Sequence, residues 1–202
     1  MSPAPPGVAS ERGQAIVEFA LVLPLLLLLV FGVAELSTAH SEALTIAAST
    51  REGARVAGAL VNGGGQLGCG GGQSPNASSV DPRIIAAVER VLTASGTQIQ
   101  LLDVGEIRVY KSMSNGQEPP GQASVWTYQL NGGPVIDGQQ LDFVQQGNGW
   151  PACSRRNVTP ADSAGVLVRY TYRARTPLGL LLPGLVTILI TDRTVMPLNA
   201  SR

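Results

Sequence analysis

Histidine occurs once and cysteine twice in this chain. Those counts exclude a three-histidine or four-cysteine zinc site and a disulfide-dense small scaffold. Neither sign of charge is in excess: 14 Lys and Arg stand against 14 Asp and Glu, for a net charge of 0. Nucleic acid is therefore not expected as a partner, because neutralising phosphates needs a basic surplus. Charged residues make up only 14%, against roughly 25% in an ordinary globular chain, which argues against a charge-rich disordered polymer. The hydrolase signatures G-x-S-x-G and H-E-x-x-H are missing, so the expectation is a non-enzyme with no catalytic, cofactor-binding or metal-binding residues. Aromatics are scarce at 4%. What is abundant is glycine (24) and proline (14), concentrated in loops, and a hydrophobic fraction of 44% spread very unevenly over 202 residues.

The unevenness has one main source. Ala15 to Ala34 is a 20-residue stretch whose single charge is Glu18, and it includes five consecutive leucines, Leu25 to Leu29. As a helix it spans about 30 Å, the thickness of a bilayer core, and leucine on every face is unlike an amphipathic core helix. Upstream lie 13 residues, MSPAPPGVASERG, rich in Pro, Ser and Ala. A short, nearly uncharged head is normally the end kept in the cytoplasm, so a single pass with the amino terminus inside and the carboxy terminus outside is expected. Ser37-Thr38-Ala39 offers small residues for a secretory cleavage, but the apolar run is too long for an ordinary signal core.

Glu18 is the odd residue of this segment. A carboxylate within a span is costly, about 2.5–3.5 kcal/mol at the centre and less near an edge. If the chain were cut after Gly13, Gln14 would carry a new ammonium one helical turn from Glu18, and the two could pair within a chain or between neighbours. Alternatively, Glu18 snorkels to the head-groups. Pro24 removes one backbone hydrogen bond and is expected to bend or loosen the helix.

At these residues the sequence resembles a known family. RGQAIVEFALVLPLLLLLVFGVAEL is similar to the amino-terminal signature of TadE-like pseudopilins, minor pilins of the tight-adherence (Flp-type) type IV pilus system. Ala48 to Ala57, ASTREGARVA, is similar to the segment that follows the span in that family, and Gly165 to Met196 resembles its closing strands more loosely. The resemblance implies cleavage by a prepilin peptidase between Gly13 and Gln14. It also implies a role for Glu18 in amine pairing during assembly, and contacts with the bilayer, with other pilins and pseudopilins through the helix, and with the inner-membrane assembly platform. The implied function is that of a membrane-anchored minor pilin in adhesion and surface attachment. A permanently anchored envelope ectodomain, never cleaved and never entering a filament, is the alternative.

Beyond the span the helix is expected to continue to about Val61. Ala39, Ala43, Ile46, Ala47, Ala54, Ala57 and Val61 recur on one face at helical spacing, with Glu35, Glu42, Glu52 and Arg55 mostly directed elsewhere. The whole would be near 70 Å long, the alternative being two helices broken around Ser37. His40 reads as interfacial. Gly63 to Gly68 satisfies G-x-G-x-x-G literally, but it follows a helix rather than a strand and carries no nucleotide expectation. A second helix is expected from Asp81 as cap with Pro82 at its first position, ending at Gly96.

Strands are expected over Glu106–Ser112, Val125–Leu130, Gly165–Arg173 and Val186–Thr191, with Tyr170 and Tyr172 in the core and Arg169, Arg173 and Arg175 on or near the opposite face. Gly116 to Pro160 reads as a long loop, and Leu180 to Pro183 as an exposed apolar tip. Cys69 and Cys153 are expected to pair on the oxidising side of the membrane, two free thiols being the alternative. The predicted fold class is α+β: a long amino-terminal helix, transmembrane in its first half, on a small, mostly antiparallel sheet with a second short helix. The expected organisation is a leader (1–13), a transmembrane half (14–35), an extracytoplasmic half (36–61) and a pilin-like head (62–202).

Overall fold

The structure is a computed structural model that describes residues 9–60, 77–157, 159–177, 179 and 187–198. The chain divides into two compact units. One comprises Met1–Ala39 with Arg173–Val186, and the other, the head, comprises His40–Tyr172 with Thr187–Arg202.

Helix α1 runs from Ala9 to Ala59 as one element, passing through Pro24 and Ser37. The bond that Pro24 cannot donate does not end it, and no break occurs at Ser37. Hydroxyls within α1 are satisfied along its own backbone: Thr38 Oγ1 donates to the Ala34 carbonyl at 3.0 Å and Thr45 Oγ1 to that of Ser41 at 3.1 Å. This back-bonding lets Ser and Thr sit inside a helix without a lost polar contact.

In the head, the remainder of α1 meets helix α2 (Ala77–Leu92) and a five-stranded sheet. The strands are β1 (Val104–Lys111), β2 (Ala123–Tyr128), β5 (Phe143–Asn148), β6 (Ser163–Arg173) and β7 (Thr187–Pro197), in the order β5-β2-β1-β6-β7. A small separate hairpin joins β3 (Val135–Ile136) to β4 (Gln139–Gln140). The pairs β1–β2, β1–β6 and β2–β5 are antiparallel, with Ile107 opposite both Trp126 and Val168. Alternation places Ile107, Val109, Trp126, Val166, Val168, Tyr170 and Tyr172 in the core, as strand periodicity requires. At Gly53 both α2 and the sheet pack closely on α1. A Cβ there would lie 2.5 Å from Val88 Cγ2 of α2 and 3.2 Å from Val166 Cγ1 of β6, so a hydrogen is all the packing admits.

The opposite face of the sheet is charged. Arg169 pairs with Glu106 at 2.6 Å, and Arg108 bridges Glu106 and Glu118. The loop after β1 folds over this face: Tyr110 Oη donates to the Gly116 carbonyl at 3.1 Å, and Arg193 donates to Gln117 at 2.8 Å. The Tyr110 ring covers Gly165, its register partner.

Three sequence expectations are corrected. Helix α2 begins at Ala77, not at an Asp81 cap. Pro82 therefore sits early in the helix, where its missing donor costs one bond, and the Asp81 carboxylate is used in an ion pair instead. Glu35 and Glu42 do not face away from the packed side: they are 5% and 2% exposed. Finally, β2, expected over Val125–Leu130, lies at Ala123–Tyr128, and the rest of the stretch read as a loop, Gly116 to Pro160, supplies the β3–β4 hairpin and the edge strand β5. FVQQGN has too little apolar alternation to announce a strand. Val61, the G-x-G-x-x-G segment and the Leu180–Pro183 tip lie outside the described residues.

Candidate functional site

Every residue from Gly13 to Val30 is exposed. Ile16 (70%), Leu21 (75%) and Leu25 (70%) stand clear of the rest of the protein. The mean hydropathy over the best 18-residue window of this helix is 2.8, with none of that window buried. Eighteen helical residues span about 27 Å, close to the roughly 30 Å of a hydrocarbon core. An apolar surface of this length and continuity is not stable facing water.

Within it the predicted site residues are brought together by helical spacing alone. Gln14 and Glu18 stand four positions apart on α1, which places them on one face about 6 Å apart along the axis. Gly13 precedes them. A Cβ at Gly13 would meet nothing within 4 Å, and its φ is not in the left-handed region. Packing gives no reason for glycine here, yet glycine in a helix costs about 1 kcal/mol relative to alanine. Pro24 follows Glu18 on the same exposed stretch.

Cys153 lies in the short 3-10 turn Ala152–Ser154 and is disulfide-bonded. The chain has two cysteines, and the other, Cys69, lies outside the described residues. His40 is exposed on α1.

Residues 13–55 match the family model described as TadE-like protein. Over these residues the chain is similar to TadE-like proteins. The match opens on Gly13, contains Gln14, Glu18 and Pro24, and closes on Arg55, so it lies wholly within α1. No curated protein and no solved structure matches the chain. The TadE-like match points to a role as a minor pilin associated with the Tad pilus, and the exposed apolar helix fits a single-pass membrane protein.

The head contains two arrangements that sequence reasoning missed. Arg155 is 2% exposed and lies 2.5 Å from Asp81 of α2, with its guanidinium 4.5 Å from the Trp150 ring centroid and its Nη2 donating to the Trp150 carbonyl at 3.0 Å. Among the described residues Asp81 Oδ1 and Arg155 Nε have no hydrogen-bond partner, so the Asp81–Arg155 contact is an ion pair by distance rather than an aligned hydrogen bond. Asp81 looked like a helix cap, and nothing in the local sequence PACSRRN singles out Arg155.

The second arrangement is Glu89, half-buried on α2 beside an open cleft of about 530 Å³ that is also lined by Asn131, Asp137, Gln139 and Gln140. The backbone N–H of Asp142 donates to both Glu89 oxygens at 3.2–3.3 Å. Burial pushes the Glu89 carboxyl up from 4.5 to about 7; the Asp142 N–H opposes the rise and the Asp142 carboxylate adds to it. The folded state then holds a proton that the unfolded chain has released between pH 4.5 and about 7. Stability therefore falls as pH rises through that window. Glu89→Gln keeps an acceptor for the Asp142 N–H and removes the titration. Its stability, measured by urea unfolding of the detergent-solubilised protein, should equal wild type near pH 4 and exceed it increasingly towards pH 8. Parallel pH profiles for the two proteins would refute the assignment.

Proposed function

We propose that this protein is a membrane-anchored minor pilin, or pseudopilin, that takes part in assembling a Tad (Flp-type) pilus used in adhesion and surface attachment. Its role is structural, not catalytic. The observation that carries the reading is the coincidence of the TadE-like match with an apolar helix exposed from Gly13 onward. A prepilin peptidase cuts between Gly13 and Gln14, and the freed Gln14 ammonium meets a carboxylate at Glu18, its own or a neighbour's. The helix first anchors the chain in the bilayer, with the head outside, and then packs beside other pilins and pseudopilins as they leave the assembly platform. The glycine at position 13, where an added Cβ would meet nothing within 4 Å, fits this reading, because a glycine that weakens the helix favours the local opening a protease requires.

Sequencing the amino terminus of the membrane-extracted protein tests the cut: Gln14 as the first residue is expected, and Gly13→Leu should block it. A second reading, a permanently anchored ectodomain, is favoured by one observation, that α1 continues from Ala9 through Gly13 without interruption. It predicts Met1, or Ser2 after loss of the initiator, as the first residue.

A further inference from the structure

The β3–β4 hairpin is not part of the five-stranded sheet. It lies against α2 instead, and the two elements wall the open cleft of about 530 Å³ beside Glu89. A smaller hollow of about 170 Å³ continues the cleft towards Glu52 and Arg55 of α1, the two sharing Ala86, Arg90, Ile136 and Asp137. The larger volume is ordinary for a small-molecule site, roughly 300–1,000 Å³.

The walls are fixed by hydrogen bonds and turn geometry. Asp137 and Gly138 have φ of 50° and 83°, the two left-handed residues that a tight hairpin turn requires. Below the turn, the Gly133 N–H donates to the Leu141 carbonyl at 2.9 Å and the Leu141 N–H to the Pro134 carbonyl at 3.1 Å. The Asn131 N–H donates to the Asp142 carboxylate at 2.6 Å, and the Asp142 N–H in turn holds Glu89.

The lining has two characters. Ala86, Ala94, Ile136 and Leu141 provide apolar surface. Glu89, Asn131, Asp137, Gln139 and Gln140 bring carboxyl and primary amide groups, which together offer both donors and acceptors. Formal charge is balanced: Arg55, Arg83 and Arg90 stand against Glu52, Glu89 and Asp137. Such a cleft has no net attraction for an anion or a cation. Its planar side chains each set two polar atoms side by side, the spacing that adjacent ring hydroxyls can bridge. Glu89 supports a ligand role, because a carboxyl kept half-buried in a cleft, where burial raises its pKa, marks a functional position more often than a packing one.

We infer that this cleft binds a neutral carbohydrate, an uncharged saccharide whose hydroxyls bond the amide, carboxyl and guanidinium groups and whose C–H face lies on the apolar lining. The site gives the head a ligand of its own. The inference goes beyond the assembly reading and holds whether or not the leader is cut.

The test places the full chain in phosphatidylcholine nanodiscs, free of sugar-headed detergent. A glycan array carrying neutral, sialylated and sulfated oligosaccharides is probed first, and the best neutral oligosaccharide is then titrated by calorimetry. Binding to neutral members is expected. Arg90 and Gln139 are exposed, so Arg90→Ala and Gln139→Ala should leave the fold intact and weaken binding roughly two- to ten-fold each. Ala94→Trp, also at an exposed position, should fill the cleft and abolish binding. Thr191→Ala, on β7, should leave the affinity unchanged. The inference is overturned if no neutral glycan binds at about 10 mM, if only acidic glycans bind, or if binding survives Ala94→Trp.

Discussion

Replacing Glu18 with alanine is expected to abolish or sharply reduce pilus assembly while leaving the protein in the membrane. Glu18 is exposed on a helix whose neighbours Val17 (61%) and Phe19 (63%) are exposed and apolar. In the bilayer its carboxylate is a cost, near the lower end of the range for charged groups in spans because it lies close to one edge. Alanine removes that cost, so insertion should be as good or better. In a filament the situation reverses. There the ammonium of Gln14, once freed, is surrounded by apolar helices, and removing its counterion leaves a buried charge unpaired, typically about 3–5 kcal/mol. That is a factor of roughly a hundred to a few thousand in subunit association. The measurement is paired: membrane retention after carbonate washing, and surface pili counted by electron microscopy. Glu18→Asp shortens the reach by one methylene and should give an intermediate count. Normal piliation in Glu18→Ala would end the assembly role of this carboxylate.

The second large effect lies in the head. Asp81→Ala should destabilise it by about 3–5 kcal/mol, because Arg155 would remain buried with, among the described residues, the Trp150 carbonyl and ring but no carboxylate against it. Chemical unfolding of the oxidised protein, followed by the fluorescence of Trp150 and Trp126, reports this directly. Removing both charges, as in Asp81→Leu with Arg155→Met, should recover most of the loss, since matched apolar groups can replace a buried ion pair at little cost. A double variant no better than Asp81→Ala would mean that the pair supplies alignment that packing cannot replace. The pair also bears on the head's architecture. Asp81 belongs to α2 and Arg155 to the segment just after the disulfide-bonded Cys153, so one charge contact joins elements 74 positions apart in sequence.

The helix and its membrane character were legible because their signals are local. A run of uncharged residues from Phe19 to Ala34 needs no partner to be recognised, and the i, i+4 relation of Gln14 and Glu18 follows from helical geometry alone. The β6 strand was legible for a similar reason: Val166, Val168, Tyr170 and Tyr172 alternate with Leu167, Arg169, Thr171 and Arg173, and all four of the first set are buried. Strand β5 was not legible. Gln145 and Gln146 interrupt its pattern, and it exists because Tyr128, Thr127 and Trp126 of β2 offer an unpaired edge to Phe143, Val144 and Gln145. Glu35 and Glu42 were misjudged because charge predicts exposure only when the fold places no donor against the carboxylate. Glu35 accepts from such a donor, the Arg175 backbone N–H, 140 positions away.

By itself, then, the sequence determined that the chain has an apolar amino-terminal helix, that its apolar run Ala15–Ala34 carries one acid, Glu18, five positions after Gly13, and that an α+β head follows. These are properties of composition and period within a few turns or strands, and no long-range contact can alter them. Only the tertiary structure decided which acids are buried, that Arg155 is enclosed with Asp81, that Glu89 is pushed towards neutrality, and that Arg175 is held beside Glu35. Each of those outcomes depends on desolvation and on a partner distant in sequence, and both come into being only when the chain has folded.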